Sequence, residues 1–581
     1  MIAAPSHSPF THVLSSNYAA NVEEIQQIAN LVQRSQEDLK QVNIEIARLE
    51  ETLAKLRSER DALSAYIDDH LGLTSPFRRL PDDLLREIFL QCLEPYPVRS
   101  TKHAPLVLTT VCNAWRNVAL TTPRLWSSIH IYIPVCREFG TYRMLVDERR
   151  TGIERWLDRS GSTSITFSVT FGIGGWTQNP QELREPVLTV AQSVVDTFLR
   201  YRRRWFRARF DGVLAPFLDP VKSLNPEEMP RLHSLTLYSG RSSIPDAPHL
   251  ESLIRSAPSL RVVDLGFEHS HNVVALPLRW EQITEISLHP HLGSLEVLPA
   301  LRILSFMQRN LMKCSFWIFP HVAPDDRADL PRVHLPSLQS FEVLFRESAI
   351  APVSIGLSHS DNVKLFFDSI TCPSLLHLGV DVDFALADSP LKLFLEKSSS
   401  SLRSFSTNLP LPASELINQC IRLMPSLTSL SLQRGVFWGT QQDTGAAIRA
   451  LTPAEPSAGN NLLCPSLEDL TLLEIHSVDA ERVMDLITKR FVHCKVRRLR
   501  SVKVVFRGGP NIQTLDHWED EYRPQISDLR NQGLSIAWQF TKPKLPNDRS
   551  AAKVDDLPDG GHPTDCPHIP NHLLYPNLDS Y

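Results

Sequence analysis

A short unit of the form P-x-L-x-x-L-x-L recurs along the second half of this 581-residue chain, and it restricts the fold more than any other feature. It reads PRLHSLTL at Pro230–Leu237, PSLRVVDL at Pro258–Leu265, PALRILSF at Pro299–Phe306 and PSLQSFEV at Pro336–Val343. PSLLHLGV at Pro373–Val380, PSLTSLSL at Pro425–Leu432 and PSLEDLTL at Pro465–Leu472 follow. Variants without the proline stand at Glu281–Leu288, Ser400–Thr407 and Val496–Val504. Proline lacks an N–H and opens a turn; the alternation after it has the period of a strand. Helical stretches lie between some copies, such as His249–Ala257 and Ala413–Met424. One strand and one helix cannot bury their apolar faces alone, so the copies must stack on one another. Ile153–Val169 (helix, Ser-Gly turn, alternating strand) and Thr197–Phe210 (helix end and strand) extend the pattern upstream. The expected fold class is α/β, with a strand–helix solenoid from about Arg143 to Arg507. His517–Phe540 reads as one more helix–strand unit, a C-terminal cap over 508–540, and 541–581 as a disordered tail without apolar period.

The N-terminal part is of another kind. Residues 1–20 read as a disordered leader. From Asn21 to Leu71 there is neither proline nor glycine. With Ile25 at heptad position a, the a residues are Ile25, Val32, Leu39, Ile46, Leu53, Arg60 and Ile67. The d residues are Ile28, Ser35, Val42, Leu49, Leu56, Leu63 and His70, so eleven of the fourteen are aliphatic. A seam this strict and long predicts a coiled-coil helix over 21–71, for self-association or pairing with another helix. The alternative is one long helix folded back on the rest of the chain.

Residues 77–133 hold the densest apolar helices. Pro81 suits the start of a helix, Asp82 and Asp83 complement its dipole, and Leu84, Leu85, Ile88, Phe89, Cys92 and Leu93 form one broad apolar face. A second helix is expected over LVLTTVCNAWRNVAL, with Leu108, Val111, Cys112, Trp115, Val118 and Ala119 on one side. A turn at Pro123 then leads into a strand. So small a segment buries only part of such a surface by itself, and a partner is implied.

These residues resemble an F-box. The blocks are Leu80–Leu90 (LP-x-x-[IL]-[IL]-x-x-I-[FL]), Val111–Arg116 (V-C-x-x-W-R) and Pro123–Trp126 (P-x-L-W), in order. The resemblance implies a three-helix module that docks the Skp-type adaptor of a cullin–RING ubiquitin ligase. The matching adaptor-binding positions are Leu80, Pro81, Leu84, Leu85, Ile88, Phe89, Val111, Cys112 and Trp115. The competing reading makes some of these, Trp115 and Trp126 above all, core of this chain.

The repeats resemble degenerate leucine-rich repeats. They depart from that pattern where Gly240, Glu268 and Gly435 stand in place of its Asn or Cys, so a regular asparagine ladder is not expected. With the leucines turned inward, the face opposite carries Ser234, Thr236, Tyr238, Asp264, Ser305, Glu342, Asp381, Ser431, Thr471 and Lys503 as candidate substrate contacts. Long helix, F-box and irregular repeats together resemble the F-box proteins expanded in mushroom-forming fungi. The expected function is substrate recognition within an SCF-type ligase, without catalysis. The alternative is a coiled-coil and repeat scaffold with no ligase.

Composition removes other classes. Lys plus Arg is 60 against 65 for Asp plus Glu, too balanced for a surface built throughout for nucleic acid. The nine cysteines include no C-x-x-C pair, and no signal peptide or membrane-length apolar run is apparent, so a cytoplasmic or nuclear protein is expected. No cofactor or metal is expected. His289 and His291 lack a second supporting pair and read as loop histidines; the glycines of Phe171–Trp176 read as a turn. Arg200, Arg202, Arg203, Arg204, Arg207 and Arg209 stand among Tyr201, Trp205 and Phe206, a composition that single-stranded nucleic acid favours. A helix end running into a repeat strand explains them as well, and nucleic acid is not the expected partner.

Overall fold

The computed structural model describes residues 8–74, 76–133, 139–171, 185–213, 215–239, 247–267, 273–290, 295–346, 357–384, 386, 389–408, 415–433, 444–453, 462–476, 479–493, 499–507 and 515–541. It divides into two compact parts, Met1–Leu85 and Arg86–Tyr581.

The first part is dominated by α1, Val22–Leu73. Asn21 caps it: its side chain accepts from the Glu24 N–H, and the Glu24 carboxylate accepts from the Asn21 N–H at 2.8 Å. No residue of α1 is buried. The described part of the leader is not the featureless segment that its composition suggests. Successive turns close it, with N–H groups of Thr11, Val13 and Ser16 on the carbonyls of Ser8, Phe10 and Val13. Residues 1–7 lie outside the described residues.

The boundary between the parts falls within α2, Asp82–Gln91. Beyond it come α3, Leu108–Val111, and α4, Asn113–Leu120. The single helix expected here is broken at Cys112, which is extended (φ −158°, ψ 169°). The Thr109 and Thr110 hydroxyls donate to the carbonyls of Leu106 and Val107, and Arg116 Nε donates to the Thr109 carbonyl at 2.7 Å. Those bonds offer the backbone an alternative to helix.

The rest is a single parallel array. Its strands are β1 Ser128–Ile133, β2 Ile165–Phe171, β3 Trp205–Val213, β4 Ser234–Ser239, β5 Val262–Phe267, β6 Glu285–Pro290 and β7 Lys313–Ile318. After the short β8 Val333–His334 come β9 Ser340–Phe345, the short β10 Ile370–Thr371, β11 His377–Val382, β12 Ser404–Thr407 and β13 Ser429–Gln433. The last are β14 Asp469–His476, β15 Ser501–Arg507 and β16 Ser535–Thr541. Fourteen of them form one sheet in chain order, and β8 and β10 pair separately. A mixed α/β chain with a long N-terminal helix and a parallel sheet wound in one direction is consistent with a repeat solenoid. The array begins at β1 and ends at β16, so it runs beyond Arg143–Arg507 at both ends.

The unit explains the stacking. The first leucine of the unit is buried, after the proline turn at Leu232, Leu260, Leu338, Leu375, Leu427 and Leu467 and in the proline-free copies at Leu402 and Leu499. Along the strands one apolar row runs Leu235, Val263, Ile286, Cys314, Phe341, Leu378, Phe405, Leu430, Leu470, Val502 and Ile536 in register. Gly240, Glu268 and Gly435 lie outside the described residues; among the described residues, backbone carbonyls tie neighbours together. Arg261 and Val262 donate to the His233 carbonyl, Thr284 and Glu285 to that of Arg261, and Thr428 and Ser429 to that of Arg403. Serines of the proline turns reinforce it: Ser259 and Ser337 hydroxyls donate to the preceding turn's Pro230 and Arg309 carbonyls.

One copy of the motif is not a strand. PALRILSF lies in the helix Val297–Phe306, and the strand of that unit is β7. Val297, Leu298, Ala300, Leu301, Ile303 and Leu304 are all buried, a pattern of threes and fours rather than of twos.

Candidate functional site

Two surfaces carry the residues singled out by sequence. On α2 the apolar residues form two rows. Leu85 and Phe89, four apart, are buried. Leu84 and Ile88, also four apart, remain 53% and 41% exposed. Leu80 is half-buried and Pro81 exposed. Phe89 is fully buried, its ring centroid 4.9 Å from that of the half-buried Trp115. Val111 and Cys112 are exposed, and Cys112 Sγ accepts from the Trp115 N–H as the cap of α4. Leu85 and Phe89 therefore serve the chain's own packing and offer no free surface. Trp126 is fully buried, donates Nε1–H to the Ala119 carbonyl at 2.9 Å and meets Trp156 edge-on at 4.9 Å.

The second surface is the polar row on the opposite side of the sheet from the leucines. Register aligns Ser168, Arg209, Thr236, Asp264, Ser287, Ser315, Glu342, Gly379, Ser406, Ser431, Thr471 and Lys503. Two residues further on lie Asp211, Tyr238, His289, Trp317 and Asp381, and Ser234 starts β4. Ser305 is not on this row; it sits in the helix Val297–Phe306, its hydroxyl on the Arg302 carbonyl. Ser315 takes the place expected of it.

Of the most connected part of this row, the sequence named Tyr238 and Asp264 but missed Arg209, Asp211, His289 and Ser315. Arg209 Nε donates to Asp211 Oδ2 at 2.7 Å, both buried. Tyr238 OH donates to Asp264 Oδ1 at 2.7 Å and stands 3.2 Å from His289 Nδ1. With its hydrogen on Asp264, the phenol oxygen accepts from Nδ1–H, and Nε2 is left to accept from the Ser315 hydroxyl at 3.0 Å. His289 is thus a buried strand residue, not a loop histidine; His291 lies outside the described residues. Asp211 Oδ1 and the Ser168 hydroxyl are buried without a hydrogen-bond partner among the described residues.

Electrostatics follow the burial. Burial pushes the Asp264 carboxyl up to about 6, opposed by the Arg209 guanidinium. Burial and then Asp264 raise the Tyr238 phenol well above its ordinary value. Burial alone would lower Arg209; Asp211 overrides it and raises the group. Further along, burial pushes Asp381 up to about 6, against the Asn408 N–H that donates to its Oδ1 at 2.9 Å. Burial and then Asp381 raise Glu342.

Asp381 gives a pH test. Its carboxylate forms less readily in the fold than in the unfolded chain, so its cost is full above about pH 6. As pH falls towards 4 the folded chain takes up the proton first, and that cost disappears. Asp381→Asn is expected to stabilise the protein at pH 7.5 by on the order of 1–2 kcal/mol and not at pH 4. Urea denaturation at the two pH values measures the difference.

Gly266 holds Tyr238 in place. A Cβ there would overlap Tyr238 Cδ1, so the ring occupies the space a side chain would need. Gly266→Ala is expected to push the phenol off Asp264 and to cost about 1–3 kcal/mol in a denaturation experiment.

The arginine cluster is largely spoken for. Arg200 pairs with Glu154 at 2.8 Å and Arg202 with Glu228 at 3.1 Å. Arg204 binds the Thr163 carbonyl and the Ser160 hydroxyl, and Arg209 binds Asp211. Arg203 and Arg207 are exposed. Among the described residues no group of three or more His, Cys, Asp or Glu could hold a metal ion, and no helix is long and apolar enough to cross a membrane.

No family model matches the chain, and no curated protein does. Among solved structures, the crystal structure of the Rad7 and Elc1 complex in yeast is similar at 13% identity over 82% of this chain and 97% of that one. The TM-score is 0.33, a likeness too loose to bear on fold or function.

Proposed function

We propose that this chain is a non-catalytic substrate-recognition subunit of an SCF-type cullin–RING ubiquitin ligase, working in the cytoplasm or nucleus. The observation that carries the reading is the double row on α2. Leu85 and Phe89 satisfy the chain's own packing, while Leu84 and Ile88 stay exposed within the segment that matches the F-box blocks. Two large aliphatics one turn apart on a short helix are what a docked adaptor would cover. The polar row from Thr236 to Lys503 then serves as the surface across which a protein substrate lies. Such a subunit acts by position: it raises the local concentration of substrate at the ligase and fixes its orientation. The test is capture of a purified Skp-type adaptor by the full chain, followed by gel filtration. Co-elution supports the reading; separate elution of two folded proteins contradicts it.

A further inference from the structure

The seam of α1 has an occupant that its own interruptions identify. The helix is 52 residues long, about 78 Å at 1.5 Å per residue, and Leu49, Leu56 and Leu63 are each more than half exposed. We propose that the seam is covered by α1 of a second copy of this chain, running antiparallel over its full length. Place Val22 of one helix beside Leu73 of the other, and every a residue faces a d residue. Ile25 then faces His70, Val32 faces Leu63, Leu39 faces Leu56 and Ile46 faces Leu49. In the same register Ser35 falls opposite Arg60, so two of the three non-aliphatic positions share a layer, and the third, His70, faces Ile25 at the end of the seam. At the edge of the seam Leu31 meets Tyr66.

The parallel pairing lacks this fit. It stacks Arg60 on Arg60 within one layer and sets Glu45 against Glu50 across the edge. The antiparallel pair has one like-charged contact, Asp38 with Glu59, which lies at the solvent-exposed edge where such contacts cost least. The leader is the competitor: Phe10 and Leu14 line a groove of about 390 Å³ with Ile28, Leu31, Val32 and Leu39. Pairing displaces it, so removal of residues 1–16 strengthens the dimer.

This inference does not depend on the adaptor reading, and its tests involve no adaptor. Light scattering of the full chain at tens of micromolar is expected to give twice the chain mass; a monomer there overturns the proposal and leaves the seam to a different helix. Orientation is read by oxidising full-length Leu39→Cys and Leu56→Cys chains beside the parent, whose own cysteines, Cys92 and Cys112 exposed among the described residues, set the baseline. Cross-linking above that baseline only when the two variants are mixed supports the antiparallel pair. Cross-linking of each variant alone overturns it. Ser35→Glu gives a second reading that involves no cysteine. It places a carboxylate opposite Arg60 twice per dimer and is expected to tighten the dimer about tenfold. Weaker dimerisation, with helicity unchanged by circular dichroism, means that the two introduced carboxylates face each other and the helices are parallel.

Discussion

Replacing Leu84 and Ile88 together by alanine is expected to lower the affinity for a Skp-type adaptor by about 10²-fold or more, with little change in the stability of the free chain. Each aliphatic side chain newly buried in a complex contributes about 1.5–3 kcal/mol, and every 1.4 kcal/mol is tenfold in affinity. The free chain scarcely notices, because both side chains already face solvent; exposed substitutions of this kind usually stay within about 0.5 kcal/mol. That separation makes the experiment decisive. Phe89→Ala would also abolish binding, but by emptying a fully buried site beside Trp115, and so would say nothing about contact. Titration calorimetry with purified adaptor measures the affinity, and a thermal melt shows the variant folded. An unchanged affinity removes the ligase reading.

Trp126→Ala should have the opposite signature: a large loss of stability that has nothing to do with any partner. The indole is fully buried, packs edge-on against Trp156, lies 4.6 Å beneath the Arg159 guanidinium and donates to the Ala119 carbonyl. Truncating a buried tryptophan costs about 3–5 kcal/mol, a large share of the roughly 5–15 kcal/mol that holds a domain together. In a stacked array the damage stays near its source. Hydrogen exchange should speed up in β1 and in the helix Phe139–Arg159 while β13 to β15 keep their protection. Uniform loss along all strands would mean that the array melts as one body and that the local account is wrong.

How far the sequence could be read depended on whether the signal lay within one segment or between segments. The strands of PSLTSLSL and PSLEDLTL were legible because alternation is a property of eight consecutive residues. The heptads of α1 were legible for the same reason. PALRILSF fits the motif equally well, yet it is a helix, because buried residues on both sides of Pro299 extend its spacing to a helical one. The break at Cys112 was hidden by an apolar periodicity that passes straight through it; the neighbouring Thr109 and Thr110, whose hydroxyls bond backbone carbonyls, are local and could have been weighed. Arg209, Asp211 and His289 were not legible as a group. They come from β3 and β6, and only the register of the sheet brings them to one row. Read singly, Arg209 was one of a basic cluster and His289 a residue beside Pro290.

The order of the strands has a consequence for how such a chain can change over generations. In the large sheet, β7 pairs with β9, β9 with β11, and every other strand with its immediate neighbours in the chain. No strand depends on one laid down far away. A duplicated strand–helix segment would therefore find its two neighbours wherever it was inserted, and a deleted one would let its neighbours close up. In a doubly wound sheet the same edit would break a pairing between distant segments. The residues of the polar row would be copied or lost along with their strand, so the length of the surface and its chemistry are open to revision by the same genetic event.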